Sequence, residues 1–333
     1  MKLPTLLEDL ETQKPQKWDE KVSATDLEMV MAEGQPRIAL RGKETPFQVA
    51  RPCHDQIADR LEIPPKYYHR MEEKDPDLLA HNVNTWLGKN GKNFFVRGLG
   101  GTVRALLSDR YRVIDHLDVL YCALNELQAH GAEVEDCFLS ETEMNIKVKS
   151  ERLQDFVRHQ GDRIVGGLLL TNSETGHKAL RLEPRIFRVL CSNGMVIEDL
   201  VARQVHLGNG DEGFDETVYL TIRRSVTELF GRFGEMVTVL REATEIKIRS
   251  PQRVITNLVE HYRLSDSQRD NILMAFGAEP EGDKYGIANA VTRAAQAEEG
   301  WEKSLEMERG ITCGYHYHLP HELSDPAQGM TVL

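Results

Sequence analysis

The sequence has no run of eighteen or more apolar residues, so no transmembrane helix is predicted. It has no CxxC pair. Its five cysteines, Cys53, Cys122, Cys137, Cys191 and Cys313, are scattered and odd in number, which predicts reduced, packed thiols in a cytoplasm. The opening stretch MKLPTLLEDLETQKPQKWDEK carries acids and prolines where a signal peptide needs an apolar core, so secretion is not predicted. Positive charge is also in short supply. The formal net charge is −12 and the pI near 5.5, which argues against a general nucleic-acid coat but leaves room for a local basic track. Between residues 92 and 205 about fifteen Lys/Arg face about sixteen Asp/Glu, so the excess acid lies mainly outside that region. With 40% hydrophobic and 28% charged residues over 333 positions, the chain has the balance of a soluble protein of one large domain or two ordinary ones.

The most informative stretch runs from Asn93 to about Val205, where Arg, Asn, Ser, Asp and Gly sit among strand-forming residues. Before it, residues 1–45 are polar and broken by prolines. They read as an N-terminal arm with a short helix and one or two strands, IALRG at 38–42 being an edge-strand candidate. Residues 46–88 are predicted helical, with a break at Pro64-Pro65. A helix-turn-helix inserting Lys66, Tyr67, Tyr68 and Arg70 into a groove is conceivable, but the paired-proline turn favours a plain αα-hairpin capping a sheet. NFFVRGLGGTVRAL at 93–106 is a β-hairpin signal, and no Gly-Lys-Ser/Thr makes its glycines a P-loop. Asp115 is the predicted cap of a helix to about His130. Two strands follow around Ser140–Thr142, then a short helix at 151–160 and a strand at 164–173. Leu180 and Leu182 alternate with Arg181 and Glu183. Ile186, Val189 and Leu190 read as helical after Pro184, and Asn193-Gly194 as a turn. Residues 215–275 and 285–310 are predicted helices, and the tail from 311 is irregular.

SDRYRVIDHLDVL at 108–120, TNSETGHKALRLEPRIFRVLCSNGM at 171–195 and YGIANAVTRAAQ at 285–296 resemble the phage/plasmid-like proteins of domain-of-unknown-function family 932, over roughly residues 50–310. The resemblance implies a mobile-element context and a cytoplasmic location. It carries over no catalytic residues. In element order, helix, hairpin, strand and helix, the centre is also similar in outline to single-strand annealing proteins of phage recombination, which lay single-stranded DNA along a basic groove and often form rings. A homo-oligomer is therefore an expected partner, alongside single-stranded nucleic acid.

The expected fold is α+β: a central, mostly antiparallel sheet over 93–205 with flanking helices and a helical C-terminal region. The expected divisions are 1–45, a core domain at 46–210, a helical region at 211–310 and a tail at 311–333. The candidate nucleic-acid contacts are Arg97, Arg104, Arg110, Arg112, Lys178, Arg181, Arg185 and Arg188. Arg181, Arg185 and Arg188 sit at a predicted strand–helix junction around Pro184, where a helix N-terminus would add phosphate affinity. Tyr111, Phe94, Phe95 and Phe187 would supply stacking. Salt bridges to Asp109, Asp115, Glu183 and Glu198 on a solvated sheet are the competing account. Cys313, His316, His318 and His321 fall within nine positions and have zinc-ligand chemistry, but lack a scaffold, so no metal and no cofactor is expected. Asp109, Asp115, His116 and Asp118, or Ser173, Glu174 and His177, contain the groups of a metal-dependent nuclease or a nucleophilic site. Caps and turns explain them with fewer assumptions, as a packed thiol does Cys191. The expectation is a non-enzymatic protein that binds or anneals single-stranded DNA. The alternatives are an interaction protein acting on a host or phage protein, or a nuclease. Dispersed, acid-paired arginines would favour the interaction protein.

Overall fold

A computed structural model of the protein describes residues 1–159, 161–189, 193–196, 202–204 and 216–308. Its first third contains α1 (Leu3–Gln13), β1 (Lys17–Ser23), β2 (Leu27–Ala32), β3 (Gln35–Leu40), β4 (Gln48–Val49), α2 (Arg51–Arg60), α3 (Pro65–Lys74) and α4 (Pro76–Lys89). The glycine-turned hairpin of β5 (Asn93–Leu99) and β6 (Thr102–Ser108) follows. β1, β5, β6 and β4 form one sheet in that order, with β4 parallel to β6; β2 and β3 form a separate ribbon. Helices α2, α3 and α4 cover this unit around a core that includes Ile57, Tyr68, Val83, Phe94 and Val96. The break between α2 and α3 is an αα-hairpin, and Tyr68 is buried in it. Residues 1–45 are tied into the molecule on both sides. β1 pairs with β5 along its whole length, while Leu6 and Leu10 of α1 pack into the other core.

The second unit begins with α5 (His116–Ala129) and a sheet of β7 (Ala132–Leu139), β8 (Met144–Phe156), β9 (Arg163–Asn172) and β10 (Leu180–Arg188). Short strands β11 (Asn193–Val196) and β12 (Ala202–Gln204) both pair with β10. Alternation sets the faces. Met144, Ile146 and Val148 of β8 share one face with Leu168, Leu170, Leu182 and Ile186 and are buried under helices. Those helices include α5, α6 (Glu216–Gly231), α7 (Phe233–Glu245) and α10 (Lys284–Ala295), with α8 (Pro251–His261) and α9 (Asp266–Ala278) packed beyond.

The class is α+β, with mixed, largely antiparallel sheets and C-terminal helices. Within 93–205 the strands divide over two sheets. Four local expectations are corrected. The helix placed at 151–160 is the continuation of β8, which passes a register shift between Ser150 and Gln154. The helix placed after Pro184 is β10. Pro184 falls between the part of β10 paired with β12 and the part paired with β11, a gap in which a missing N–H is tolerated. Asn193 and Gly194 lie in β11 instead of a turn. The helix expected over 285–310 is interrupted after α10, with Gly300 at φ +102°, and resumes at 301–308.

β9 and β8 approach so closely at Gly167 that a Cβ there would lie 2.0 Å from the Val148 carbonyl oxygen. Backbone cannot yield as a flexible side chain does. Gly167→Ala is therefore expected to cost about 1–3 kcal/mol, seen as a lower urea midpoint at unchanged slope; an unchanged midpoint contradicts the packing.

Candidate functional site

The two sequence strings of the central stretch meet where the two sheets abut. The turn after β6 brings Tyr111 and Asp115 to the start of α5, and the turn after β9 brings Ser173, Glu174 and Thr175 against them. The Glu174 carboxylate is buried. It accepts hydrogen bonds from Lys17 Nζ (2.5 Å), Arg104 Nη1 (2.9 Å) and the His116 backbone N–H (2.7 Å). Its carbonyl accepts from Arg97 Nη1 (3.0 Å) and from the Tyr111 hydroxyl (3.1 Å). Arg97 also donates to Asp19 (2.8 Å) and Asp115 (2.7 Å). Gln56 of α2 completes the joint. Its Nε2 donates to the Thr175 carbonyl (2.7 Å), and its Oε1 accepts from the Leu106 N–H (3.0 Å).

Electrostatics follow from this burial. Desolvation opposes ionisation of Glu174, but His116 in its protonated form, Lys17, Arg104 and Arg97 outweigh it and hold the carboxyl well below the usual carboxylate range. His116 is fully buried, and desolvation pushes its imidazole down to about 4, so it is neutral at pH 7, where Lys17, Arg97 and Arg104 face the three carboxylates of Asp19, Asp115 and Glu174. Its Nδ1 lies 3.0 Å from the Asn172 amide nitrogen.

Among the predicted contacts, Arg97 and Arg104 are thus brought together around an acid. Arg97 is buried. Arg112 is also buried. Arg185 is buried between Glu308 and Glu183, Arg181 faces Glu183 at 3.2 Å, and Arg188 bonds Asp162 (2.6 Å) and Glu279. With no helix after Pro184, no helix N-terminus joins Arg181, Arg185 and Arg188. Only Arg110 and Lys178 of the eight are exposed and without an ion pair among the described residues; they stand on the two facing turns. Phe94, Phe95, Tyr111 and Phe187 are buried, so they offer no stacking surface. Asp115 takes the N-cap position of α5 without capping it, because its carboxylate is engaged by Arg97. Ser173 Oγ donates to the Thr142 carbonyl (2.5 Å), and the His177 N–H donates to Ser173 Oγ (3.1 Å), which is turn chemistry. No group of three or more His, Cys, Asp or Glu among the described residues is arranged to hold a metal. Cys191, Glu198, Cys313, His316, His318 and His321 lie outside them. Cys53, Cys122 and Cys137 are free and buried.

A different surface was missed. Trp86 falls in line with Leu79 and Val83 of α4 by helical spacing, yet near the C-terminal end of the helix it is 47% exposed. It lines a groove of about 480 Å³ with Arg60, Leu61, Glu62, Lys89, Asn90, Gly91 and Lys92. Lys89 Nζ stands 5.2 Å from its ring centroid. WLGKNGK shows two lysines spaced by glycine after an aromatic, but the i, i+4, i+7 spacing of Leu79, Val83 and Trp86 reads as core, so the sequence carries no signal for an exposed indole.

The family profile of DUF932, a domain of unknown function, matches residues 104–302. No curated protein and no solved structure matches the chain. No helix among the described residues is long and apolar enough to cross a membrane.

Two outcomes are expected of the joint. Glu174→Gln leaves the cations of the joint one negative charge short at a buried position and should cost about 3–5 kcal/mol by urea unfolding. His116 has a folded pKa below its unfolded value of 6.5, so its contribution is complete above pH 6.5 and is lost as pH falls toward about 4. His116→Asn should remove on the order of 3 kcal/mol of acid-dependent destabilisation in that window; identical pH–stability curves for the variant and the parent would contradict it.

Proposed function

The chain belongs to the DUF932 family, a domain of unknown function, and we propose for it a non-enzymatic, cytoplasmic role of phage or plasmid type: binding single-stranded nucleic acid at the Trp86 groove, whose residues precede the matched segment. The observation that carries this reading is the exposed indole flanked by Arg60, Lys89 and Lys92. An unpaired base stacks on such a ring whatever its sequence, while neighbouring cations take the phosphates. The volume suits one nucleotide unit. The net charge of −12 keeps such binding local and salt-sensitive. Free, buried Cys53, Cys122 and Cys137 support a reducing compartment.

A second reading, an interaction protein acting on a host or phage protein, is favoured by the inward, acid-paired state of Arg97, Arg104, Arg181, Arg185 and Arg188. One titration separates the two. In a salt-dependent mobility shift with single-stranded DNA, the full chain should bind at low salt. Trp86→Ala should weaken that binding by about 1–3 kcal/mol, roughly five- to 150-fold. Absence of binding at low salt rejects the nucleic-acid reading, and binding indifferent to Trp86→Ala rejects the groove.

A further inference from the structure

The face of the second sheet opposite the helices is polar yet covered. Register places Lys147 and Lys149 of β8 on it with Arg181, Arg185 and Phe187 of β10. Lys149 Nζ lies 4.6 Å from the Phe187 ring centroid. Across this face runs the helical segment 301–308. Trp301 stacks parallel to Phe138 of β7, with centroids 5.8 Å apart and planes within 4°, and Lys147 Nζ stands 4.6 Å from the Trp301 ring centroid. Seven residues on, the Glu308 carboxylate pairs with Arg185 and lies 4.0 Å from Lys147. An aromatic plane on a ring and an anion between two cations are the contacts that one nucleotide, base and phosphate, would make with the same side chains.

The cover fits imperfectly. The indole N–H of Trp301 is buried with no acceptor, and Arg185 Nε and Nη2 have no hydrogen-bond partner although the side chain is fully buried. Buried unsatisfied donors are costly; lifting the segment frees the indole N–H and opens Arg185 Nε and Nη2 to the non-bridging oxygens of a phosphodiester. Glu183, 3.6 Å from Arg185, limits the positive charge of the face, so a single phosphodiester charge suits it better than a dense polyanion.

Resting on the single-stranded nucleic-acid reading above, we propose that residues 301–308 are an internal stand-in for a nucleotide. On this account they occupy a second binding face, built on Lys147, Arg185 and Phe138, that opens when single-stranded nucleic acid displaces them. Binding is weaker than the face's intrinsic affinity by the fraction of time the segment is lifted.

The test is fluorescence anisotropy with a labelled oligothymidylate, on the full chain and on full-length Trp301→Ala/Leu305→Asp, which loosens the segment. Loosening should tighten binding by about tenfold or more, and adding Lys147→Glu should reverse the gain. If the loosened chain, still melting cooperatively, binds only as tightly as the parent, the stand-in is refuted while the nucleic-acid reading stands. If neither binds at low salt, that reading falls and takes the stand-in with it. Should the loosened chain fail to fold, amide exchange on the parent decides. Saturating oligonucleotide should speed exchange at 301–308, and unchanged or slower exchange refutes displacement.

Discussion

The ionised carboxylate of Glu174 is the constraint on which the rest of the molecule is arranged. An unpaired charge at that depth is prohibitively costly. The cations that offset it come from separate places in the chain: Lys17 from the first strand, Arg97 and Arg104 from the glycine-turned hairpin. Meeting at one acid, they hold the N-terminal sheet against the second. The two larger apolar cores are thereby joined by a polar weld, beside a small apolar cluster of Phe95, Ala105, Leu107 and Tyr111, and slippage is excluded because a shift of one residue would strand a buried charge.

The same need explains why the arginines of the central stretch are poor candidates for an open groove. Each of Arg97, Arg104, Arg181, Arg185 and Arg188 has carboxylates within reach, and several lie at near-zero exposure. A guanidinium whose donors are already engaged must break those contacts before it can meet phosphate. Surfaces free to bind from outside therefore differ from the ones richest in arginine. The exposed indole of Trp86 is approached by Lys89, a cation that phosphate can take, whereas the covered face of β7–β10 is occupied by Trp301 and Glu308.

Much of the local structure was legible. The β5–β6 hairpin, the helix from His116, the β7–β8 hairpin and the α2–α3 break follow from glycine turns, periodicity and paired prolines. Pro184 misled because a proline inside a strand is tolerated only where a neighbouring strand is missing, and the gap between β11 and β12 is a fact of pairing, invisible in sequence. Trp86 was overlooked for the converse reason. A single aromatic on a helix is usually core, and the i, i+4, i+7 spacing of Leu79, Val83 and Trp86 gives that reading; the exposure of the indole is decided by the tertiary structure.

By itself, the sequence determined the class of fold, the alternation that gives β8 an apolar and a cationic face, and the two polar strings that turned out to face each other. Tertiary structure alone decided what those polar residues do. Whether an arginine seeks phosphate or a carboxylate depends on which acids lie within about 4 Å and on how much water remains. Lys17 and Glu174 are 157 residues apart in the chain and 2.5 Å apart in space, a distance that no spacing rule along the chain contains.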